Sequence, residues 1–232
     1  MLSKRLEQVA QMVPQGARMA DIGCDHAYLP IELVKRGQVA HAIGCDINRG
    51  PLEAADKNAQ RACLDHSMLE LRLGDGLNAI APGDVDVVTI AGMGAGLMAD
   101  ILSARLEVTK MLSRIVVSPN VAPWILRHWA IDNNFTVANE SVIYENDHYY
   151  EVFTLEPSAS PVQYTELECY FGIELPRQCN ETTRAYFEMR RESDERLLSA
   201  WEEVRHRRED VAAQYDRLMR LWQEWETLYP CK

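Results

Sequence analysis

Between Asp21 and Pro30 the chain reads DIGCDHAYLP, so two carboxylates, an imidazole and a phenol stand within eight positions around one glycine. The preceding RMADI is apolar and reads as a strand, which places these groups on a strand-to-helix turn. Gly23 lets a ligand approach the backbone closely, because no Cβ intervenes. The phosphate-gripping G-x-G-x-x-G pattern is absent, its later places being taken by Cys24, Asp25, His26 and Ala27. A carboxylate at Asp25 repels a pyrophosphate and tolerates or pairs with a cation.

Two further acidic residues close strand-like runs. Asp46 ends VAHAIGCD, where a carboxylate can accept from both ribose hydroxyls of an adenosine; capping the helix that begins near Pro51 is the competing role. Asp75 with Gly76 ends LRLGDG, placed to accept from an adenine amino group with space left for the ring. A fourth run, VDVVTIAG, leads into Gly92, Met93, Gly94, Ala95 and Gly96. This is either an anion-binding nest at a helix start or a close-approach wall beside a cofactor. An adenosine cofactor that is also cationic satisfies the set, and S-adenosylmethionine, with its sulfonium and ammonium, fits better than NAD.

The elements that must hold these turns alternate. From Arg18 to about Glu156, short β-rich runs are separated by helix-permitting segments, which predicts a parallel, doubly wound sheet with both faces covered. FTVANESVIYE and HYYEVFTLE, joined only by Asn146-Asp147, predict a β-hairpin and an antiparallel edge. The Pro- and Ser-containing EPSASP marks a linker, so residues 1–160 form one domain and 161–232 a second. In the second, apolar or aromatic residues recur at Leu197, Trp201, Val204, Val211, Tyr215, Leu218, Trp222, Trp225 and Tyr229. That heptad seam predicts a coiled-coil-like helical hairpin turning near RHRRED.

The 232 residues carry a net charge of −11, so attraction to a polyanion has to come from a local basic patch. Six scattered cysteines without a C-x-x-C, and histidines without ligand spacing, predict free thiols and no metal site. No apolar run approaches membrane-spanning length and no signal-peptide core is visible, which predicts a soluble cytoplasmic protein.

The segments DIGCDHAYLPIELVKRG, LRLGDGL, DVVTIAGMGAGLMADIL, SPN and YYEVFTLEP together resemble the bacterial tRNA adenine-N1 methyltransferases that modify adenine 22 in the D-arm. The resemblance spans roughly Leu2 to Pro157. It implies an α/β class I methyltransferase (Rossmann-like) fold followed by a helical domain, with S-adenosylmethionine as cofactor and tRNA as substrate. It places Asp21, Gly23, Asp25 and His26 along the cofactor, Asp46 at the ribose, Asp75 and Gly76 at the adenine, and Ala91, Gly92, Met93 and Gly94 near the methionine part. Arg5, Tyr28 and Asn120 fall on the substrate side. The chain departs from the family pattern at Cys24 (commonly Ser), Asp46 (Glu), Ala95 (Gly) and Ser118 (Gln).

Methyl transfer to adenine N1 needs alignment more than a base, because N1 carries a lone pair and the product is cationic. Asp25 is the candidate for stabilising that charge, Tyr28 for stacking on the extruded adenine and Asn120 for orienting its edge. Helix capping by Asp25 or Asn120 and simple packing by Tyr28 are the competing roles, as is a backbone hydrogen bond for His26. Lys4, Arg5, Arg49 and Arg127, with Arg205 to Arg208, are the candidate RNA contacts. A protein or small-molecule methyltransferase and a non-catalytic RNA- or nucleotide-binding module are the alternative functions. The seam allows a monomer or a weak homodimer.

Overall fold

The computed structural model describes residues 2–229, and the chain divides into two compact units, one running to Gln163 and one starting at Tyr164. In the first unit, strands β1 (Arg18–Ile22), β2 (His41–Asp46), β3 (Leu69–Leu73), β4 (Val87–Ala91), β5 (Arg114–Ser118), β6 (Phe135–Glu145) and β7 (His148–Pro157) form one sheet in the order β3-β2-β1-β4-β5-β7-β6. β1 to β5 are parallel, whereas β7 runs antiparallel to both β5 and β6. The apolar runs RMADI, VVTIA and RIVVS are central strands buried along nearly their whole length, as a sheet covered on both faces requires.

Strand order reverses between β1 and β4. Right-handed crossovers therefore send α2 (Tyr28–Lys35) and α3 (Arg49–Arg61) to one face, and α4 (Ala95–Ala104) and α5 (Leu106–Thr109) to the other. The first face also takes α1 (Lys4–Met12), whose Val9, Ala10 and Met12 join Leu29, Leu33 and Ala55 over Met19, Val87, Val116 and Val152. Ser3 caps α1 through the Leu6 amide at 3.2 Å, and Glu145 of β6 accepts the Lys4 amide at 2.6 Å. On the second face α4 packs against α6 (Trp124–Asn133).

The hairpin forms where Asn146-Asp147 predicts it. Both residues take the left-handed conformation (φ 50° and 60°) that a two-residue turn matching strand twist demands. A bulge between Ala138 and Ser141, with Asn139 at φ 51°, interrupts the β6–β7 register. A bulge re-aims side chains, and here the adjacent Glu140 is buried beside Arg127 of α6.

The second unit holds α7 (Glu166–Phe171), closed at its start by a Thr165–Glu168 capping box, then α8 (Glu181–Glu202) and α9 (Glu209–Leu228). α8 and α9 form a helical hairpin whose turn contains Arg205–Arg207. The buried line of α8 differs from the expected seam: it runs through Thr183, Tyr186, Arg190, Asp194 and Leu198, while Leu197 and Val204 are 40% and 41% exposed. Counting apolar residues alone misplaces the line because two of its members are charged. Asp194 accepts from Trp222 Nε1 at 3.0 Å and the Tyr170 hydroxyl at 2.9 Å, and Arg190 donates to the Tyr170 carbonyl at 2.9 Å. On α9, Val211, Leu218 and Trp222 are buried as expected.

No helix among the described residues is long and apolar enough to cross a membrane, and no cluster of three or more metal-ligating side chains occurs there.

Candidate functional site

The carboxyl ends of β1, β2, β3 and β4 meet around one cleft of about 530 Å³ at the switch point of the sheet. Asp21, Gly23, Asp25, His26, Asp46, Asp75, Gly76, Ala91, Gly92 and Met93 all line it, as do Arg5 and Tyr28. Gly94, expected beside the cofactor, is not among the lining residues; it caps the start of α4.

The β1 turn is held open by backbone geometry. The amides of Gly23 and Cys24 both donate to the Cys45 carbonyl, at 2.8 and 2.9 Å. Gly23, Asp25 and Ala27 all have positive φ (71°, 50° and 55°). Two of the three are not glycine, and such conformations cost about 1–3 kcal/mol each and gather at functional sites. A Cβ on Gly23 would lie 2.2 Å from Met93 Cε, the movable end of a flexible side chain, so it is the positive φ that calls for glycine there. Gly76, at φ 57°, faces Ile101 in the same way, with 3.0 Å to a built Cβ.

Asp46 ties two turns together. Its Oδ2 accepts the Asp25 amide at 3.2 Å and its Oδ1 the Asn48 amide at 2.9 Å, which leaves further lone pairs on each oxygen. Its carboxylate therefore organises the loop after β2, and it is not the side-chain cap of α3. Asp25 is exposed and gives α2 no cap, so the capping role weighed from sequence is not seen. Tyr28 is 57% exposed at the rim, with its ring 5.6 Å from that of His26, so it is not a packing residue either. His26 Nε2 lies 3.6 Å from Asp25 Oδ1, and the His26 carbonyl accepts from Asn58 Nδ2 at 3.1 Å.

Asp21 sits deeper. Burial pushes its carboxyl up to about 7, opposed by the Thr89 hydroxyl, which donates to Oδ1 at 2.6 Å from the paired position on β4. A raised native value means that its stabilising contribution is complete below about pH 4 and disappears as pH rises through about 7. The melting temperature of the wild type, relative to Asp21→Asn, is accordingly expected to fall between about pH 4 and 7 and to level off above that. A constant difference across that range would refute the assignment. The neighbouring thiols of Cys24 and Cys45 are also pushed up by burial, which keeps them unreactive.

A methyltransferase-domain family model matches residues 2–153. A tRNA (adenine(22)-N(1))-methyltransferase of Bacillus subtilis (strain 168) is 36% identical over 172 residues, covering 74% of this chain and 72% of that protein. The chain belongs to the tRNA adenine-N1 methyltransferase family. The crystal structure of the B. subtilis tRNA methyltransferase TrmK superposes with a TM-score of 0.86 at 30% identity, over 97% of this chain and 98% of that one. TrmK of M. capricolum, in complex with the cofactor product S-adenosyl-homocysteine, gives 0.80 at 30% identity over the same shares.

Within this methyltransferase, the substrate-side residues fall into different positions. Asn120 is exposed but both ends of its amide are engaged: Oδ1 accepts from Arg5 Nη1 at 3.0 Å and Nδ2 donates to the Gly92 carbonyl at 2.7 Å. The Arg5 guanidinium also lies over the Tyr150 ring, 4.6 Å from its centroid. Lys4 is exposed, and exposed Arg49 lines a separate depression with Asp56 and Lys57. Ser118 does not face the cleft. It is fully buried at the end of β5, and its hydroxyl has no hydrogen-bond partner among the described residues.

Arg127 is a correction. It is fully buried, donating from Nε and Nη2 to Glu140 at 3.0 and 2.7 Å and from Nη2 to Glu151, with its guanidinium over Phe153. Burial works against its charge, but the two carboxylates outweigh that and hold it protonated. A side chain enclosed in this way cannot touch RNA. Of the terminal basic run, Arg205 pairs with Glu202 at 2.8 Å and Arg208 with Asp210.

The sequence reading missed Ile47, Asn48, Leu97 and Ile101, which also line the cleft. Ile47 and Leu97 are 62% and 55% exposed. An apolar residue directly after the acidic end of a strand, as in CDI, was the available signal for Ile47.

Proposed function

We propose that this chain transfers a methyl group from S-adenosylmethionine to N1 of adenine 22 in tRNA. The observation that carries the reading is the convergence of Asp21, Asp46 and Asp75 with the Gly23 and Gly92 walls on one cleft, in a chain of this family. The cleft volume lies within the range of pockets that enclose a cofactor. The residues fit the cofactor: glycines of positive φ at positions 23, 76 and 92 line the cleft and leave the backbone open to a ligand, and acidic groups face a cation.

When bound, S-adenosylmethionine would supply an electrophilic methyl group, the carbon–sulfur bonding pair staying on sulfur as the sulfonium becomes a neutral thioether. Asp46 accepts from the ribose hydroxyls with the lone pairs its amide bonds leave free, and Asp75 accepts from the adenine amino group. Ile47, Leu97 and Ile101 offer apolar contact to the ring. Asp25, and Asp21 once ionised, favour the cationic end. Asp25, exposed at the rim, also faces the positive charge that develops on the target adenine as N1 gives its lone pair to the methyl carbon. Tyr28 offers an exposed ring against which an extruded base stacks. Asn120 acts by position, holding the Gly92 carbonyl and the Arg5 guanidinium in place.

Incubation with labelled cofactor and an unmodified tRNA transcript, followed by nucleoside analysis, tests this reading. 1-Methyladenosine is expected, and none is expected from a transcript with guanine at position 22. Label transferred instead to another nucleoside, or to no tRNA at all, would overturn the assignment.

A further inference from the structure

Tyr28 borders two depressions. One is the cleft already described; the other is a shallower groove of about 270 Å³ between α2 and α3, which also contains Ile31, Glu32, Lys35, Asn58 and Arg61. The two share Tyr28 at their common rim. They are also tied through the backbone, because Asn58 Nδ2 donates to the carbonyl of His26 in the β1 turn.

The groove differs in charge from the rest of this acidic chain. Its carboxylate, Glu32, is already matched by Arg36, whose Nε donates to it at 3.1 Å. Arg36 is in turn held by Glu7 through two hydrogen bonds of 2.6 and 2.7 Å, so its guanidinium is committed. Lys35 and Arg61 have no ion-pair partner among the described residues, and Arg61 makes only a 3.5 Å contact to the Asn58 amide oxygen. By contrast, Arg127 is enclosed, and Arg5 is stacked on Tyr150 and bonded to Asn120. Two uncommitted cations therefore stand directly beyond the exposed tyrosine at the mouth of the cleft.

Extruding a nucleotide draws its flanking phosphates out of the helix with it, and those phosphates have to be met near the rim. We infer that the α2–α3 groove receives the RNA backbone next to the target adenosine, with Lys35 and Arg61 each meeting a phosphate and Tyr28 separating that strand from the methyl-transfer cleft. The inference rests on the proposed tRNA function. Its occupant is an RNA strand, because the uncommitted groups are cations lying beside the site where the base enters.

The test compares the full-length wild type with Lys35→Gln, Arg61→Gln, the double variant and Arg36→Gln, measuring binding of the unmodified tRNA transcript from 50 to 300 mM salt. Each phosphate contact contributes about 0.7–0.9 to the slope of log affinity against log salt. The slope is expected to fall by about that amount in each single variant and by about 1.5 in the double, with affinity near physiological salt weakened ~10-fold. Arg36→Gln removes the same formal charge from a committed side chain, and its slope is expected to match the wild type. Calorimetric affinity for S-adenosylmethionine, and the melting temperature, are expected to be unchanged in the Lys35 and Arg61 variants. A double variant with the wild-type slope overturns the groove assignment while wild-type 1-methyladenosine formation leaves the proposed function standing. An equal slope loss in Arg36→Gln also overturns it, as a general charge effect. A wild type that neither binds nor methylates tRNA removes both.

Discussion

Arg127→Met is expected to lower the stability of the methyltransferase domain by roughly 3–5 kcal/mol, the usual cost of leaving buried partners of a broken ion pair uncompensated. Glu140 and Glu151 are each 4% exposed, and both pair with this guanidinium. In a chain of this size the loss corresponds to a drop in Tm of about 10 °C. Adding Glu140→Gln and Glu151→Gln to the same variant is expected to recover much of the drop, since the stranded charges are then gone. Thermal unfolding of the three proteins checks this. The salt dependence of tRNA binding by the folded Arg127→Met protein should equal that of the wild type, and a reduced slope would return Arg127 to the RNA surface. Its ion pairs join α6 to the β6–β7 hairpin.

Asp46→Ala is expected to weaken S-adenosylmethionine binding by at least about 100-fold. Hydrogen bonds involving a charged group contribute about 1.5–3 kcal/mol each, and the proposed ribose contact would lose two. The Asp25 and Asn48 amides lose their acceptor as well, which loosens the turn that carries Asp25. Asp46→Asn separates these contributions, because it retains one carbonyl acceptor in place of two carboxylate oxygens. Its binding is expected to lie between those of the wild type and the alanine variant. Calorimetric titration provides the readout, with circular dichroism to confirm that the sheet persists. An alanine variant that binds the cofactor at wild-type affinity would remove Asp46 from the ribose position.

Both predictions concern charged residues of the same unit, yet the two were not equally readable from the chain. Asp46 closes an apolar strand, and a strand end in a parallel sheet has one destination, the carboxyl edge. Local pattern was therefore enough to bring Asp21, Asp46 and Asp75 to a common edge, and the two-residue Asn146-Asp147 connection was enough to predict the antiparallel hairpin. Arg127 has no such local signature. In WILRHWAIDN it reads as one polar residue on a helix. Its burial depends on a β-bulge that turns Glu140 inward and on Glu151 two strands' length away, so only packing reveals it. Arg190 and Asp194 shifted the buried line of α8 for the same reason: their partners, Tyr170 and Trp222, come from α7 and α9.

The division follows from the range of the forces involved. Strand and helix periodicity, turn conformation and the position of strand ends depend on residues a few places apart, and these are legible as letters: the doubly wound sheet, its antiparallel edge, the helical tail and the acidic cleft. Whether a given charge is spent or available depends on what the fold brings within a few ångströms, because a Coulomb interaction is strong only at contact and in a poorly solvated place. Glu7 neutralises Arg36 across 29 positions, Asn120 and Tyr150 hold Arg5 across more than a hundred, and nothing comparable among the described residues meets Lys35 or Arg61. The chemistry of the cleft was thus written in local order, while the allocation of cations around it was settled by tertiary contact.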